Sequence, residues 1–167
     1  MKKILTILMS LLLLCSMAFA EGVSFTATDV EGNTVTEEIL ADYDLTMVNV
    51  WATWCGFCIE EMPAFADLKN SLPENVNLIT ICEDASIEPE LTQQILKASN
   101  ANFTTLAATA DMFYGGMLSN VYAFPTTMFL DSEGKPVGED VVGVPSLDDP
   151  AGAYLSIIME RLAMLEA

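Results

Sequence analysis

Leu45, Met47, Val48, Val50 and Trp51 make a nearly continuous apolar run, the pattern of a strand buried on both faces, and predict a central strand over 45–51. Val76 to Cys82 is a second such run. From Cys58 the apolar positions Met62, Phe65, Leu68 and Leu72 recur at spacings of four, three, three and four, which predicts a helix packed on a sheet. Pro63 falls inside that helix and should kink it, because proline removes one backbone hydrogen bond and crowds the preceding turn. A second helix is expected over Pro89–Ala98 with Leu91, Ile95 and Ala98 on one face, and a short helical piece over Glu37–Asp42. Val23 to Thr28 alternates into the turn Asp29-Val30-Glu31-Gly32-Asn33, so Thr34–Thr36 can pair back as an N-terminal hairpin. Thr126–Leu130 and Lys135–Val142 read as two strands joined through Asp131-Ser132-Glu133-Gly134. Leu155, Ile158, Leu162 and Leu165 predict a closing helix. Asn102–Thr109 has no clear assignment, and the helical character of Asp111–Tyr122 is broken by Gly115-Gly116. Strand, helix, strand, helix, hairpin and helix build an α/β fold, a mixed sheet covered on both faces.

The amino terminus stands apart from this pattern. Lys2 and Lys3 precede the apolar run Ile4–Leu14, and Ala18-Phe19-Ala20 offers small residues where a signal peptidase reads, so residues 1–20 are expected to be a secretory leader. Two alternatives stay open. Ile4–Ala20 would be a short uncleaved anchor, since a span wants about 20 apolar residues, or Cys15 would carry a lipid, although Leu14 before it is bulky. Each alternative places residues 21–167, about 147 residues, outside the cytoplasm as one domain. The whole chain carries 24 acidic and 6 basic residues, a net charge of −18. Without residues 1–20 the basic set is Lys69, Lys97, Lys135 and Arg161, and the net charge is −20. Such a surface repels nucleic acid and anionic headgroups. The carboxylates are scattered, which suits simple solubility better than a dedicated basic partner.

The candidate chemistry lies directly after the first apolar run, in Trp54-Cys55-Gly56-Phe57-Cys58. Side chains at i and i+3 on a helix lie about 5 to 6 Å apart at Cβ, and a disulfide needs about 3.8 Å, so this pair closes and reopens with little backbone movement. A helix start stabilises a thiolate, lowering its pKa from about 8.5. Cys55 is thus the expected nucleophile and Cys58, one turn inward, the resolving thiol. Other uses of the motif fit poorly. Zinc wants four Cys or His ligands, and the chain has no His and only Cys82 besides this pair outside the leader. Covalent haem attachment needs His after the second Cys, where Ile59 stands. A purely structural bridge across so small a loop removes little chain entropy. No cofactor is expected.

Asn49-Val50-Trp51-Ala52-Thr53-Trp54-Cys55-Gly56-Phe57-Cys58, then Glu61-Met62-Pro63, then Phe124-Pro125-Thr126-Thr127 before an apolar strand ending in Leu130-Asp131, resemble the extracytoplasmic thioredoxin-like proteins of the TlpA/ResA type over about Val23–Leu165. The resemblance implies a thioredoxin-like fold and a thiol-disulfide oxidoreductase whose redox-active disulfide is Cys55–Cys58. It implies that Pro125 is a cis-proline opposite the dithiol. Trp54, Gly56, Phe57, Phe124 and Thr126 would hold an extended client, with Trp54 an exposed active-site tryptophan rather than a core aromatic. Its partners would be exported proteins bearing disulfides and a membrane electron donor, with apocytochrome c as one candidate client.

Several residues depart from the pattern. Asn49 stands where cytoplasmic thioredoxins carry a buried Asp, so the proton leaving Cys58 needs another acceptor. The extracytoplasmic branch often uses a Glu near the end of the next strand, which assigns Glu83, or its neighbour Asp84, as catalytic base; a solvated loop carboxylate is the alternative reading. Ile59, Glu60 and Glu61 follow the second Cys where the family often has a basic residue, and acidic neighbours raise a thiol pKa. Cys82 is an odd thiol, expected to pack as a small buried hydrophobe, with an auxiliary thiol or an intermolecular bridge as the alternatives. Gly56-Phe57 supplies no donor to stabilise the thiolate, which favours a reducing couple. A thiol peroxidase of the same fold and a non-enzymatic peptide-binding module stay open as alternatives.

Overall fold

The computed structural model describes residues 22–166. The expected leader and Cys15 lie outside them. The elements in chain order are β1 (Thr26–Asp29), β2 (Thr34–Thr36), a 3₁₀ turn (Glu37–Leu40), β3 (Leu45–Trp51), α1 (Gly56–Lys69), β4 (Val76–Cys82), α2 (Pro89–Ala98), β5 (Thr104–Ala107), α3 (Ala110–Phe113), β6 (Thr126–Asp131), β7 (Val141–Val142) and α4 (Pro150–Leu165). The strands form one sheet in the order β2-β1-β5-β4-β3-β6-β7. β3, β4 and β5 are parallel neighbours, while β6 runs antiparallel to β3. The β1–β2 hairpin extends the far edge through β5. This is a thioredoxin-like fold with a mixed central sheet flanked by helices.

Every residue of β3 and of β4 is buried, because both faces of the sheet are covered. On one face Leu45, Met47 and Trp51 pack with Met62, Phe65 and Leu68 of α1, Ile95 and Leu96 of α2, and Tyr154 and Ile158 of α4. On the other, Val48 and Val50 pack with Ile79, Ile81, Leu106, Leu40 and Met112. Asn49 alternates with Met47 and Trp51, so its amide faces the helical side. Each fully buried apolar side chain contributes about 1.5 to 3 kcal/mol. The sheet therefore fixes the strand ends that carry the site.

Some expectations need correction. The buried face of α2 is Thr92, Ile95 and Leu96, whereas Leu91 and Ala98 are exposed. The Thr92 hydroxyl donates to the Glu88 carbonyl at 2.8 Å, so a polar residue is buried without an unmade bond. Lys135–Val142 is not a continuous strand: a single bridge joins Leu130 to Pro136, and only Val141–Val142 pairs with β6. Gly138, at φ +76, turns the chain out of the ladder between them. Asn102–Thr109 contains β5, and Asp111–Tyr122 reduces to the single turn α3 followed by further turns. Leu72 lies past the end of α1, and Leu165 at the end of α4 is exposed.

Candidate redox site

β3 ends at Trp51, and the chain turns through Ala52-Thr53-Trp54 into α1. Cys55 is the N-cap of that helix: its backbone is extended, and its sulfur accepts the Cys58 N–H at 3.3 Å. Cys55 and Cys58 form a disulfide, with an S–S distance of 2.06 Å and Cα atoms 5.3 Å apart. Cys55 is 7 % exposed and Cys58 fully buried, so an incoming sulfur meets Cys55 first. The unpaired N–H groups of the helix start surround Cys55, and a negative charge left there on reduction is stabilised.

Around the disulfide the surface is apolar. Trp54 is 69 % exposed and Phe57 59 %. The Trp54 ring meets Phe124 edge-on with centroids 5.7 Å apart, which sets the turn before β6 beside the helix start. The Phe124–Pro125 peptide bond is cis. Gly56 is exposed at the first position of α1. Thr126, in contrast, is buried in β6, and its hydroxyl donates to the Ala123 carbonyl at 2.8 Å. Trp54, Gly56, Phe57 and Phe124 thus share one surface, and Thr126 stays beneath it holding the turn.

Glu61, one turn past Cys58 on α1, is the residue that sequence reasoning did not single out as a base. Its carboxylate is 1 % exposed and sits in a closed ring of side chains from four elements. Asn49 Nδ2 donates to Glu61 Oε1 at 3.2 Å and to Thr127 Oγ1 at 2.9 Å. Tyr154 Oη donates to Glu61 Oε2 at 3.0 Å and accepts from Thr127 Oγ1 at 3.2 Å. Burial pushes the Glu61 carboxyl up to about 7, against the donations from Tyr154 and Asn49. The Tyr154 hydroxyl is pushed up by burial and by the Glu61 charge. Among the described residues Asn49 Oδ1 has no hydrogen-bond partner. A signal for Glu61 existed in the sequence. It lies three residues after Cys58 and four before Phe65, so a carboxylate occupies the apolar face of the helix.

The carboxylates at the end of β4 behave differently. Glu83 is half-buried, and its backbone N–H donates to the Trp51 carbonyl at 2.8 Å. Asp84 is buried, and it grips the loop before the dithiol. Asp84 Oδ1 accepts the Thr53 N–H at 2.9 Å, and Oδ2 accepts the Thr53 hydroxyl at 2.5 Å. Burial opposes the charge on Asp84, but these donors and the Cys82 thiol outweigh it and hold the carboxyl below its usual value. Cys82 is free and buried, with Sγ 3.3 Å from Asp84 Oδ1. Burial, aided by the Asp84 charge, pushes this thiol up to about 12, so it is held as the neutral thiol.

No group of three or more His, Cys, Asp or Glu able to hold a metal occurs among the described residues. Sequence comparison finds a thioredoxin-like protein, YneN, of Bacillus subtilis, 27% identical over 88 residues, or 53% of this chain and 51% of that protein. A thioredoxin-like protein of Haemophilus influenzae is 29% identical over 110 residues, 66% of this chain and 62% of its own length. The chain thus spans from half to less than two thirds of the curated relatives it matches. Among solved structures, a secreted Mycobacterium tuberculosis disulfide oxidoreductase homologous to E. coli DsbE shares the fold at a TM-score of 0.61 and 24% identity, covering 79% of this chain and 95% of that one. The AhpC/TSA family profile matches residues 20–136, a span that takes in β1 to β6 and both paired cysteines, and the chain belongs to that family.

Proposed function

We propose that the protein is an extracytoplasmic thiol-disulfide oxidoreductase that reduces disulfides in exported proteins. The observation that carries this reading is the asymmetry of the Cys55–Cys58 pair: one cysteine 7 % exposed at a helix N-terminus beside exposed aromatics, the other fully buried one turn from the buried Glu61 carboxyl. The Cys55 thiolate attacks one sulfur of a client disulfide. The client S–S bond breaks, a Cys55–client mixed disulfide forms, and one client thiolate leaves. Cys58 then gives its proton to Glu61 and attacks the Cys55 sulfur, releasing the second client thiolate and closing Cys55–Cys58. Two electrons pass from the protein to the client. A membrane-held dithiol of the same chemistry, acting in reverse, restores the reduced pair.

Glu61 is the proton acceptor because its pKa lies near working pH and because α1 sets it one turn from Cys58. Once protonated, it has an acceptor for its hydrogen in Asn49 Oδ1 after a half-turn of that amide. The client lies across Trp54, Phe57 and Phe124, with the cis Phe124–Pro125 turn presenting backbone groups to an extended segment. Reduction rather than oxidation follows from Gly56-Phe57, which adds no donor to the thiolate beyond the helix start. Export is supported by the leader pattern of residues 1–20 and by likeness to a secreted protein of this fold. Apocytochrome c is a candidate client by family analogy alone.

The test is the reduction potential of the pair, titrated against thiol buffers. A value near the thioredoxin level, about −270 mV, supports the reductase, and one near −120 mV makes the protein an oxidant. Peroxide consumption without client reduction would assign it instead to the thiol peroxidases.

A further inference from the structure

A crevice of about 130 Å³ opens between the first turns of α1, which carry the dithiol, and the segment leading into α4. Phe57, Glu60, Glu61, Val144, Leu147 and Pro150 line it. Ligand pockets for whole small molecules run to about 300–1,000 Å³, and liquid water takes about 30 Å³ per molecule, so this space suits one amino-acid side chain. Its walls are apolar, with Phe57 59 % and Leu147 70 % exposed, and the exposed carboxylate at its edge is Glu60, with Glu61 buried behind it. Among the described residues the ion pairs are Lys135–Glu133 and Arg161–Glu160, and neither involves Glu60.

Resting on the oxidoreductase reading above, we propose that this crevice is a specificity subsite for a basic side chain, arginine or lysine, in the client segment that flanks the reacting cysteine. Long basic side chains lay an apolar stem along apolar walls and keep a charged head at a polar end. Val144, Leu147 and Pro150 take the stem, the Phe57 ring offers its face to the cation, and Glu60 receives the charge. Phe57 stands between the two cysteines, so a guest against its ring belongs to the same stretch of client that meets Cys55.

The opposing force is that of the helix ends. α1 and α4 both start here, and each N-terminus carries about half a positive charge. That of α4 is offset by its cap, since the Gly152 N–H donates to Asp149 Oδ1 at 2.9 Å. The full charge of Glu60 outweighs the half charge that remains at the start of α1. The chain as a whole, at −18, adds attraction of the same sign at long range.

The experiment compares three disulfide-closed peptides that differ in one residue beside a cysteine: arginine, glutamine or glutamate. Each is reduced by the purified protein in its dithiol form, with insulin as a general substrate. The arginine peptide should exceed the glutamine peptide about tenfold in kcat/KM, the joint effect of one ion pair and one cation–ring contact, with the glutamate peptide slowest. Glu60→Gln and Leu147→Ala should each cut the arginine-to-glutamine ratio to about threefold, a ratio in which any general loss of activity cancels. Equal rates for the three peptides, a preference for glutamate, or an arginine preference untouched by both substitutions would overturn the subsite while leaving the oxidoreductase intact. Failure to reduce any peptide or insulin would overturn both readings.

Discussion

Tyr154 Oη donates a 3.0 Å hydrogen bond to Glu61 Oε2 across 93 positions of the chain, tying the last helix to the helix that carries the dithiol. The bond explains how a carboxyl one turn from a buried sulfur keeps a defined orientation. Thr127 and Asn49 complete the ring from β6 and β3, so four elements converge on one proton site.

Replacing Glu61 by Gln removes that site. The resolving step should slow by about 10²-fold, the scale of lost general base catalysis. The pH dependence of client reduction should also lose an inflection near 7, where the native carboxyl titrates. Stopped-flow rates between pH 5 and 9 check both outcomes, and an inflection that survives in Glu61→Gln refutes the assignment.

The same carboxyl makes stability depend on pH. Its folded pKa, about 7, lies above the ordinary 4.5, so the folded state binds the extra proton between these values. Stability conferred by Glu61 is therefore full below about pH 4.5 and falls as pH rises toward 7, by about 1.4 kcal/mol per pH unit and about 3 kcal/mol in all. Urea unfolding of the oxidised protein at pH 4.5 and 7 should show this fall, and Glu61→Gln should reduce it. Equal pH dependence in the two proteins would contradict the burial of that charge.

Cys55 and Cys58 have unequal roles. Cys58→Ser should accumulate a mixed disulfide with client through Cys55, visible on a non-reducing gel and dissolved by dithiol. Cys55→Ser should form none and lose turnover to the uncatalysed level. A trapped complex through Cys58 would reverse the order of attack.

Asp84 should matter as a clamp. Asp84→Ala strands the Thr53 N–H and the Thr53 hydroxyl, and each buried unmade bond costs about 1 to 3 kcal/mol. A loss of about 3 kcal/mol with an unchanged denaturant slope is expected from urea melts, and a loss under about 0.5 kcal/mol would show the loop is held without it.

Cys82 should be inert. In the native protein at pH 8 iodoacetamide should leave the Cys82 peptide unmodified by mass spectrometry, because burial has pushed the thiol up to about 12, and in urea it should react fully. Native-state labelling of Cys82 would show that the strand end opens.

The strands and the redox pair were legible from residue types alone. β3 and β4 each carry five apolar residues among seven, on both faces, a density that marks a strand covered on both sides, and their bounds matched to the residue. The spacing of Cys55 and Cys58 on a helix start likewise left one main chemistry. Elsewhere the local pattern was too weak. β5 is a four-residue strand that exists because β4 and β1 pair with both its edges. On α2 Ile95 is buried as expected, but the rest of the face is Thr92 and Leu96 in place of Leu91 and Ala98, and Thr92 can be buried because its hydroxyl is satisfied by the Glu88 carbonyl.

What the sequence by itself determined is therefore the chemistry that depends on near neighbours: two thiols one turn apart after a buried strand, and a carboxylate on an apolar helix face whose meaning stayed unread. Only the tertiary structure decided which carboxyl is buried one turn from the dithiol. Glu61 and Glu83 are both ordinary acids in the chain. Packing from β3, β6 and α4 strips water from Glu61 and supplies Asn49 and Tyr154 in its place, and Glu83 stays half in solvent. A pKa is set by desolvation and by partners brought from far along the chain, and no local pattern of residue types carries that information.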